Sequence, residues 1–429
     1  MKTSLHQNLQ FTRRGLTRRS FLHSVSATSV AAGCLSLRDV MSLQAAELRK
    51  QGKKVIVLWM QGGPSQFETF DPKSDSEIAG ETTSIQTAIP GVEIAHAWPE
   101  TAKALDKATI IRSMTSKEGN HQRATYQMHT GYLPSGSVKH PGLGANLATH
   151  LEQPDFDLPS VVSIGRPASG LHAGHLGIDY EPFVVDRPGE MPRNVEQSVE
   201  TDRYDRRRKL LGRVDAEFAK QGAGQVVADH QKLYGKAARM VLSQNLAAFN
   251  LDEESSSLRN SYGDTDFGRG CLLSRRLVET GVPYVEVNHR NWDTHADVFE
   301  NTTRLAGEVD PALATLLVDL ETRGMLDDTL VVWMGEFGRT PRINPRTGRD
   351  HFPRAFNALL AGAGVRGGQV IGSTTKDGAM VDEQPVTTGD LFTSICHALD
   401  VDPTSETISP LGRPMKIVDE GSVVDGLFG

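Results

Sequence analysis

Three short segments of this 429-residue chain gather imidazoles, carboxylates and guanidiniums just after apolar runs. The first, Asn288-His289-Arg290-Asn291-Trp292-Asp293-Thr294-His295, holds two histidines and an aspartate within seven residues. The second is Gly335-Glu336-Phe337-Gly338-Arg339-Thr340-Pro341, followed shortly by Gly348-Arg349-Asp350-His351. The third runs from Glu118 to Gly131 and carries His121, Arg123 and His129. If Asp293, His295, Glu336 and His351 converge, they suit a divalent metal. Imidazole with carboxylate favours Zn, Mn or Fe, whereas oxygen-only ligation favours Mg or Ca. Such an ion holds the oxygens of a phosphate or sulfate ester and lowers the pKa of an attacking water. We carry forward a divalent metal, Zn, Mn or Ca, with Arg123 as a fork of donors for an anionic oxygen. Against this stands the plain alternative that each loop residue is a turn, cap or surface group, and that His121 and His129 lie on the outside of a capped helix.

These residues need rigid elements behind them. Val55 to Met60 is an apolar run of strand length that stops abruptly at Gln61-Gly62-Gly63-Pro64-Ser65. Similar runs recur at 108–112, 160–165, 282–287, 329–334 and 356–361. A strand apolar on both faces belongs in the interior of a sheet covered by helices on each side. Helical periodicity lies between them, most clearly at 302–323 and 388–399. Alternating strands and helices predict a mostly parallel α/β sheet. In such sheets ligands sit outside the carboxyl ends of strands, where the three segments fall. The charged stretch from about 194 to 257 predicts two or three amphipathic helices beside the sheet, a helical insert with solvated faces.

The first fifty residues read as an address. Arg18-Arg19 precedes Phe21-Leu22 and a mild, small-residue-rich segment from Val25 to Leu37, the order of a twin-arginine export signal spanning about 1–46. Either the leader is removed near Ala45-Ala46, or Ala31-Ala32-Gly33-Cys34 is a lipoprotein box that leaves a lipid on Cys34. The main domain then covers 47–429 and works in the periplasm or outside the cell. No stretch reaches the roughly 18 uncharged apolar residues of a membrane span. A net charge of −7 without long basic clusters gives nucleic acid no coherent positive field. Beyond Cys34 only Cys271 and Cys396 remain, enough for one bridge at most.

Taken together, the leader, Gly62-Gly63-Pro64-Ser65, Phe70-Asp71-Pro72-Lys73, the run 335–341 and Gly348-Arg349-Asp350-His351 resemble the DUF1501 family. These are exported bacterial proteins, frequent in planctomycetes and classed as sulfatase-like within the alkaline phosphatase superfamily. The resemblance runs from residue 12 to the end. It implies a three-layer α/β/α sandwich with one or two metals hydrolysing phosphate or sulfate esters, through a nucleophile at a helix start. It also implies Glu336 and His351 as ligands, Asp293 with His295 as another ligand loop, and Glu68 or Asp71 in place of the aspartates that usually end the first strand. Phe337 stands where a second ligand is expected. His121, counted back from Thr130-Gly131-Tyr132-Leu133-Pro134, stands where the nucleophile is expected. Neither Cys271 nor Cys396 lies in a formylglycine motif. The implied function is a metal-dependent hydrolase or transferase on an anionic ester, with a sulfated or acidic glycan among the implied partners. The alternatives are a non-catalytic binding protein and an envelope scaffold on the same fold.

Overall fold

The run Val55 to Met60 divides its side chains between two cores. In the computed structural model, which describes residues 52–153, 156–193, 195 and 200–429, Ile56, Leu58 and Met60 enter one apolar layer, and Val55, Val57 and Trp59 enter the other. The leader, with Arg18, Arg19, Cys34 and both processing positions, lies outside the described residues. This alternation follows from the two-residue period of a strand. Fully burying each such aliphatic side chain contributes about 1.5–3 kcal/mol.

Eight strands form the central sheet: β1 (Lys54–Met60), β2 (Ala108–Met114), β3 (Val161–Ile164), β4 (Phe183–Val185), β5 (Tyr284–His289), β6 (Thr329–Met334), β7 (Phe356–Ala361) and β8 (Gln369–Ile371). Their spatial order is β8-β2-β7-β6-β1-β5-β3-β4. β1 lies at the middle, with Ile56 beside Val285 on one side and Val331 on the other, both parallel. β7 alone in this sheet runs antiparallel, to both β2 and β6. The six expected strands are all present. β4 and β8 extend the sheet by one strand at each edge, each only three residues long, and short edges limit unwanted pairing.

The helices are α1 (Pro99–Ala104), α2 (His121–Thr130), α3 (Leu143–Leu151), α4 (Thr201–Phe218), α5 (Gly224–Leu242), α6 (Ser256–Tyr262), α7 (Asp266–Thr280), α8 (Val298–Thr322) and α9 (Thr388–Ala398). Residues of α1, α7 and α8 enter one core, and those of α2, α3 and α9 enter the other. The result is the three-layer α/β/α arrangement. α9 begins with a reciprocal capping box between Thr387 and Asp390. α1 is capped from a distance, because Asp310 of α8 accepts from the amides of Glu100 and Thr101 at 2.9 and 2.6 Å.

The stretch expected to be a helical insert contains α4 and α5, joined across Gly222. Leu210, Val214 and Phe218 of α4 are exposed, while Val227, Ala238 and Met240 of α5 are buried. Cys271 on α7 and Cys396 on α9 sit in opposite cores and are both free thiols, so the single bridge that the sequence left open does not form. Among the described residues no helix is long and apolar enough to cross a membrane.

Candidate metal centre

The carboxyl ends of β1, β5 and β6 open onto one shared space. β1 hands over to Gln61 and Gly62, whose amide donates to Glu336 Oε1 at 2.9 Å. β5 hands over to the loop through Asp293 and His295. That loop is pinned by Trp292, which is buried, stacks on Trp98, and donates its backbone amide to the Gln61 carbonyl at 3.2 Å. β6 hands over to Glu336. A short ladder then pairs Gly338–Arg339 with His351–Phe352 and turns His351 back toward the strand ends. His121 arrives from the first turn of α2. The Asn120 side chain caps that helix at the Arg123 amide, and Gly131 ends it in a left-handed conformation, φ 76°.

Four side chains meet there. Asp293 Oδ1 lies 3.2 Å from His121 Nε2, 3.2 Å from His295 Nε2 and 3.3 Å from His351 Nε2. The Nε2 atoms of His295 and His351 are 3.0 Å apart. A ligand oxygen or nitrogen bonded at about 2.0–2.1 Å to a tetrahedral centre lies about 3.3–3.4 Å from its neighbours. These four separations are close to that edge. His121 Nε2 is also buried without a well-aligned hydrogen bond, an orphan of the kind a bound cation would satisfy. His121, Asp293 and His351 form the one group of three or more metal-competent side chains with donor atoms this close among the described residues.

The outward sides of the rings are equally ordered. His121 Nδ1 faces Glu336 Oε1 at 2.7 Å, His295 Nδ1 faces Asp350 Oδ1 at 2.9 Å, and His351 Nδ1 faces the Gly119 carbonyl at 2.8 Å. Each partner is an acceptor, so in the neutral ring each Nδ1 is the donor and Nε2 is the atom left to bind a cation. Carboxylate or carbonyl partners that fix the tautomer in this way are the usual outer support of metal-binding histidines. Asp293 has its own support: Arg339 Nη2 donates to Oδ1 at 2.7 Å. Arg339 is fully buried, donates also to the carbonyls of Gly63 and Arg349, and cannot swing away. Three carboxylates and one guanidinium leave two formal negative charges around the space, the complement of a divalent cation.

Electrostatics follow this layout. Burial pushes the Asp293 carboxyl up, but the Arg339 guanidinium and the neighbouring imidazoles outweigh it and hold the pKa down at about 2. For His121, burial works against the charged ring, yet Glu336 and Asp293 outweigh burial and raise it above the ordinary histidine range. His351 is lowered, chiefly by burial, which favours its neutral form. The Asp293 side chain keeps 46 % of its surface exposed while Glu336 has none. The cluster is therefore open to solvent on the side of Asp293 and the histidines and closed behind Glu336.

Three residues considered for the site, Asp71, Glu68 and Arg123, are engaged elsewhere. Asp71 is buried against Lys73 Nζ at 3.1 Å and Arg112 at 3.7 Å, and accepts from the Thr374 hydroxyl. Glu68, the other first-strand substitute, receives Nε and Nη2 of buried Arg349 at 3.0 and 2.9 Å. Arg123 spends its fork on Glu118 at 2.9 and 2.8 Å and stays exposed. His129 lies in the core beside Glu286 at 3.2 Å. Arg339, Asp350 and the Gly119 carbonyl were not singled out from the sequence. Each stands next to or within a motif that was, and only the fold shows that it holds one of the four converging side chains in place. Phe337 packs against both His121 and His351, with ring centroids 4.9 and 4.6 Å away, while those two rings lie 4.3 Å from each other.

The sequence profile of the family described as "Protein of unknown function (DUF1501)" matches residues 52–428. A search of curated proteins finds no match. Among solved structures, the chain is similar to phosphonate monoester hydrolase SpPMH from Silicibacter pomeroyi, at 12% identity and a TM-score of 0.41, covering 87% of this chain and 76% of that one. It is similar to the lipoteichoic acid synthase LtaP from Listeria monocytogenes at 10% identity and a TM-score of 0.34, covering 82% and 72%. It is similar to PsFucS1 sulfatase from Pseudoalteromonas sp. at 12% identity and a TM-score of 0.34, covering 83% and 71%. Likeness at this level transfers no activity, metal or substrate to the chain, whose own residues must carry the argument.

Proposed function

Since the chain belongs to the DUF1501 family across residues 52–428, whose description assigns no activity, we propose a function from its own site: an exported, metal-dependent hydrolase or transferase acting on a phosphate or sulfate ester, sulfatase-like within the alkaline phosphatase superfamily. One observation carries this reading, the approach of three Nε2 atoms to Asp293 Oδ1, each at 3.2–3.3 Å, beyond the strand ends. His121, Asp293, His295 and His351 would hold the ion, which is Zn or Mn by donor type, since imidazole nitrogen outnumbers oxygen. When bound, a divalent cation supplies Lewis acidity for the oxygens of an anionic ester.

The protein's own groups then have definite tasks. Glu336 and Asp350 keep His121 and His295 turned inward, and Arg339 keeps Asp293 ionised and oriented. No hydroxyl or thiol is hydrogen-bonded to these four ligands among the described residues. In this reading the final acceptor of the transferred group is a small molecule. Water gives hydrolysis, and an acceptor hydroxyl gives transfer. The Arg18-Arg19 leader supports work outside the cytoplasm, on substrates such as acidic glycans.

A second reading has its own support. Phe337 packs an apolar ring against His121 and His351, and four protein donors suffice for a closed structural site. That arrangement suits a metal-stabilised binding protein. The test is turnover of chromogenic phosphate monoesters, phosphodiesters and sulfate esters by the protein loaded with Zn or Mn. The hydrolase reading expects turnover that disappears in the Asp293→Ala, His295→Ala variant. Stoichiometric metal without turnover of any ester would overturn it in favour of binding.

A further inference from the structure

Beside the candidate metal centre, the carboxyl ends of β5, β3 and β4 enclose a separate cavity of about 240 Å³. Arg290 follows β5 directly, Arg166 follows β3, and both line the cavity. Both are exposed, and among the described residues neither has a hydrogen-bond or ion-pair partner. An unpaired arginine is common on a surface, but two on adjacent strand ends that share one cavity are not explained by the fold.

The rest of the lining points the same way. α7, fifteen residues long, starts at this cavity with Asp266 and Phe267. Thr265 caps the Gly268 amide at 3.0 Å. The first amides of a helix have no intrahelical acceptor, and its dipole favours negative charge at that end. Two of the carboxylates present are already neutralised. Asp266 is bound to Arg269 at 2.7 Å, and Glu308 faces His289 at 3.2 Å and Arg304 at 3.5 Å. Asp186 remains, exposed and without a partner among the described residues. Two free guanidiniums and a helix amino terminus thus face one free carboxylate. Asn288, whose Nδ2 donates to Ser163 Oγ at 3.2 Å, leaves its Oδ1 without a donor, adding amide chemistry suited to hydroxyl groups.

Position connects the cavity to the metal cluster. Two residues separate Arg290 from Asp293, so their Cα atoms are at most about 11 Å apart. Both stand beyond the carboxyl end of β5. We propose that this cavity is a subsite for a second anionic group, a sulfate or carboxylate on the saccharide unit next to the ester that the metal centre addresses. The inference rests on the ester-directed reading of that centre for its purpose, but not for its binding chemistry. It narrows the substrate to an oligosaccharide bearing at least two anionic substituents. Arg166 and Arg290 are then specificity residues, and their planar forks match an oxyanion better than a lysine would.

The test measures binding, not turnover. Isothermal titration of the full chain in chelator compares disaccharides carrying one or no sulfate group. The sulfated form is expected to bind about 10- to 100-fold more tightly than the unsulfated one, weakening as salt rises. Arg166→Ala with Arg290→Ala should erase that preference without lowering the melting temperature, since neither side chain has a partner to lose. Asp186→Asn should tighten the sulfated ligand by removing the opposing charge. Equal affinities for the two ligands in the unaltered protein, or a preference that survives the double arginine variant, would overturn the subsite. The two readings can fail separately. Preference for the sulfated ligand in a protein that never binds metal keeps the subsite and removes the hydrolase, whereas turnover without any such preference does the reverse.

Discussion

Replacing Glu336 with Gln should weaken metal binding without unfolding the protein. Glu336 touches no ligand of the ester; it stands behind His121, with Oε1 2.7 Å from Nδ1 and no surface exposed. The amide keeps the shape and still offers an oxygen to the Gly62 amide, now 2.9 Å from Oε1. What disappears is a full negative charge in a dry place, which makes the imidazole a better donor and offsets the cation. Loss of such outer partners lowers metal affinity about 10- to 100-fold, or roughly 1.4–2.7 kcal/mol. The assay is competition for Zn against a chromophoric chelator, with the melting temperature of the metal-free protein as the folding control. The same variant should lower the His121 pKa, because Glu336 is the main group holding it up against burial. Zn affinity within twofold of the unaltered protein, in a variant that melts normally, would refute the idea that Glu336 supports a metal ligand.

Other expectations follow from the same geometry. Gly348→Ala should cost more than about 3 kcal/mol or prevent folding, since a Cβ there would overlap the His295 carbonyl; soluble yield and thermal melting check it. In the metal-free protein two site groups act on stability with opposite sign. Asp293, depressed from 3.8 to about 2, contributes stability that is complete above pH 3.8 and is lost as pH falls through about 2. His121, raised above 6.5, contributes stability that is present below pH 6.5 and is lost as pH rises through its folded value. Chemical denaturation across pH 2–9 reads both signs. For the same reason Zn affinity should fall as pH drops below the His121 pKa, because protons compete for its Nε2. Arg18→Lys with Arg19→Lys should trap the chain in the cytoplasm, as cell fractionation would show, whereas unchanged export would reject the twin-arginine reading.

Much of the scaffold was legible because the interior strands are apolar on both faces. Val55 to Met60 and Thr329 to Met334 announce themselves for that reason. The edge strands Phe183–Val185 and Gln369–Ile371 are three residues each, too short for a period to show. Nothing in Phe356 to Ala361 encodes that it runs against its neighbours, since an apolar run reads the same in either direction. At the site, the histidines and Asp293 could be picked out by type and by their place after strands. Asp71 and Arg123 are engaged away from the cluster, because a carboxylate or a guanidinium shows its partner only in three dimensions. Lys73, Arg112 and Thr374 claim the first, and Glu118 claims the second. Arg339 and Arg349 were visible only as letters of a motif. The fold turns both inward, one to steady Asp293 and the other to neutralise Glu68 while stacking over Phe67 at 4.6 Å.

The central claim is that three imidazoles and Asp293 form a metal site. Elemental analysis of the chain purified without chelator, beside the Asp293→Ala, His295→Ala variant, tests it most directly. The account predicts close to one divalent ion per chain or more in the unaltered protein and little in the variant. A protein that stays free of metal after incubation with Zn, Mn, Ca and Mg, while melting as a folded chain, would contradict it.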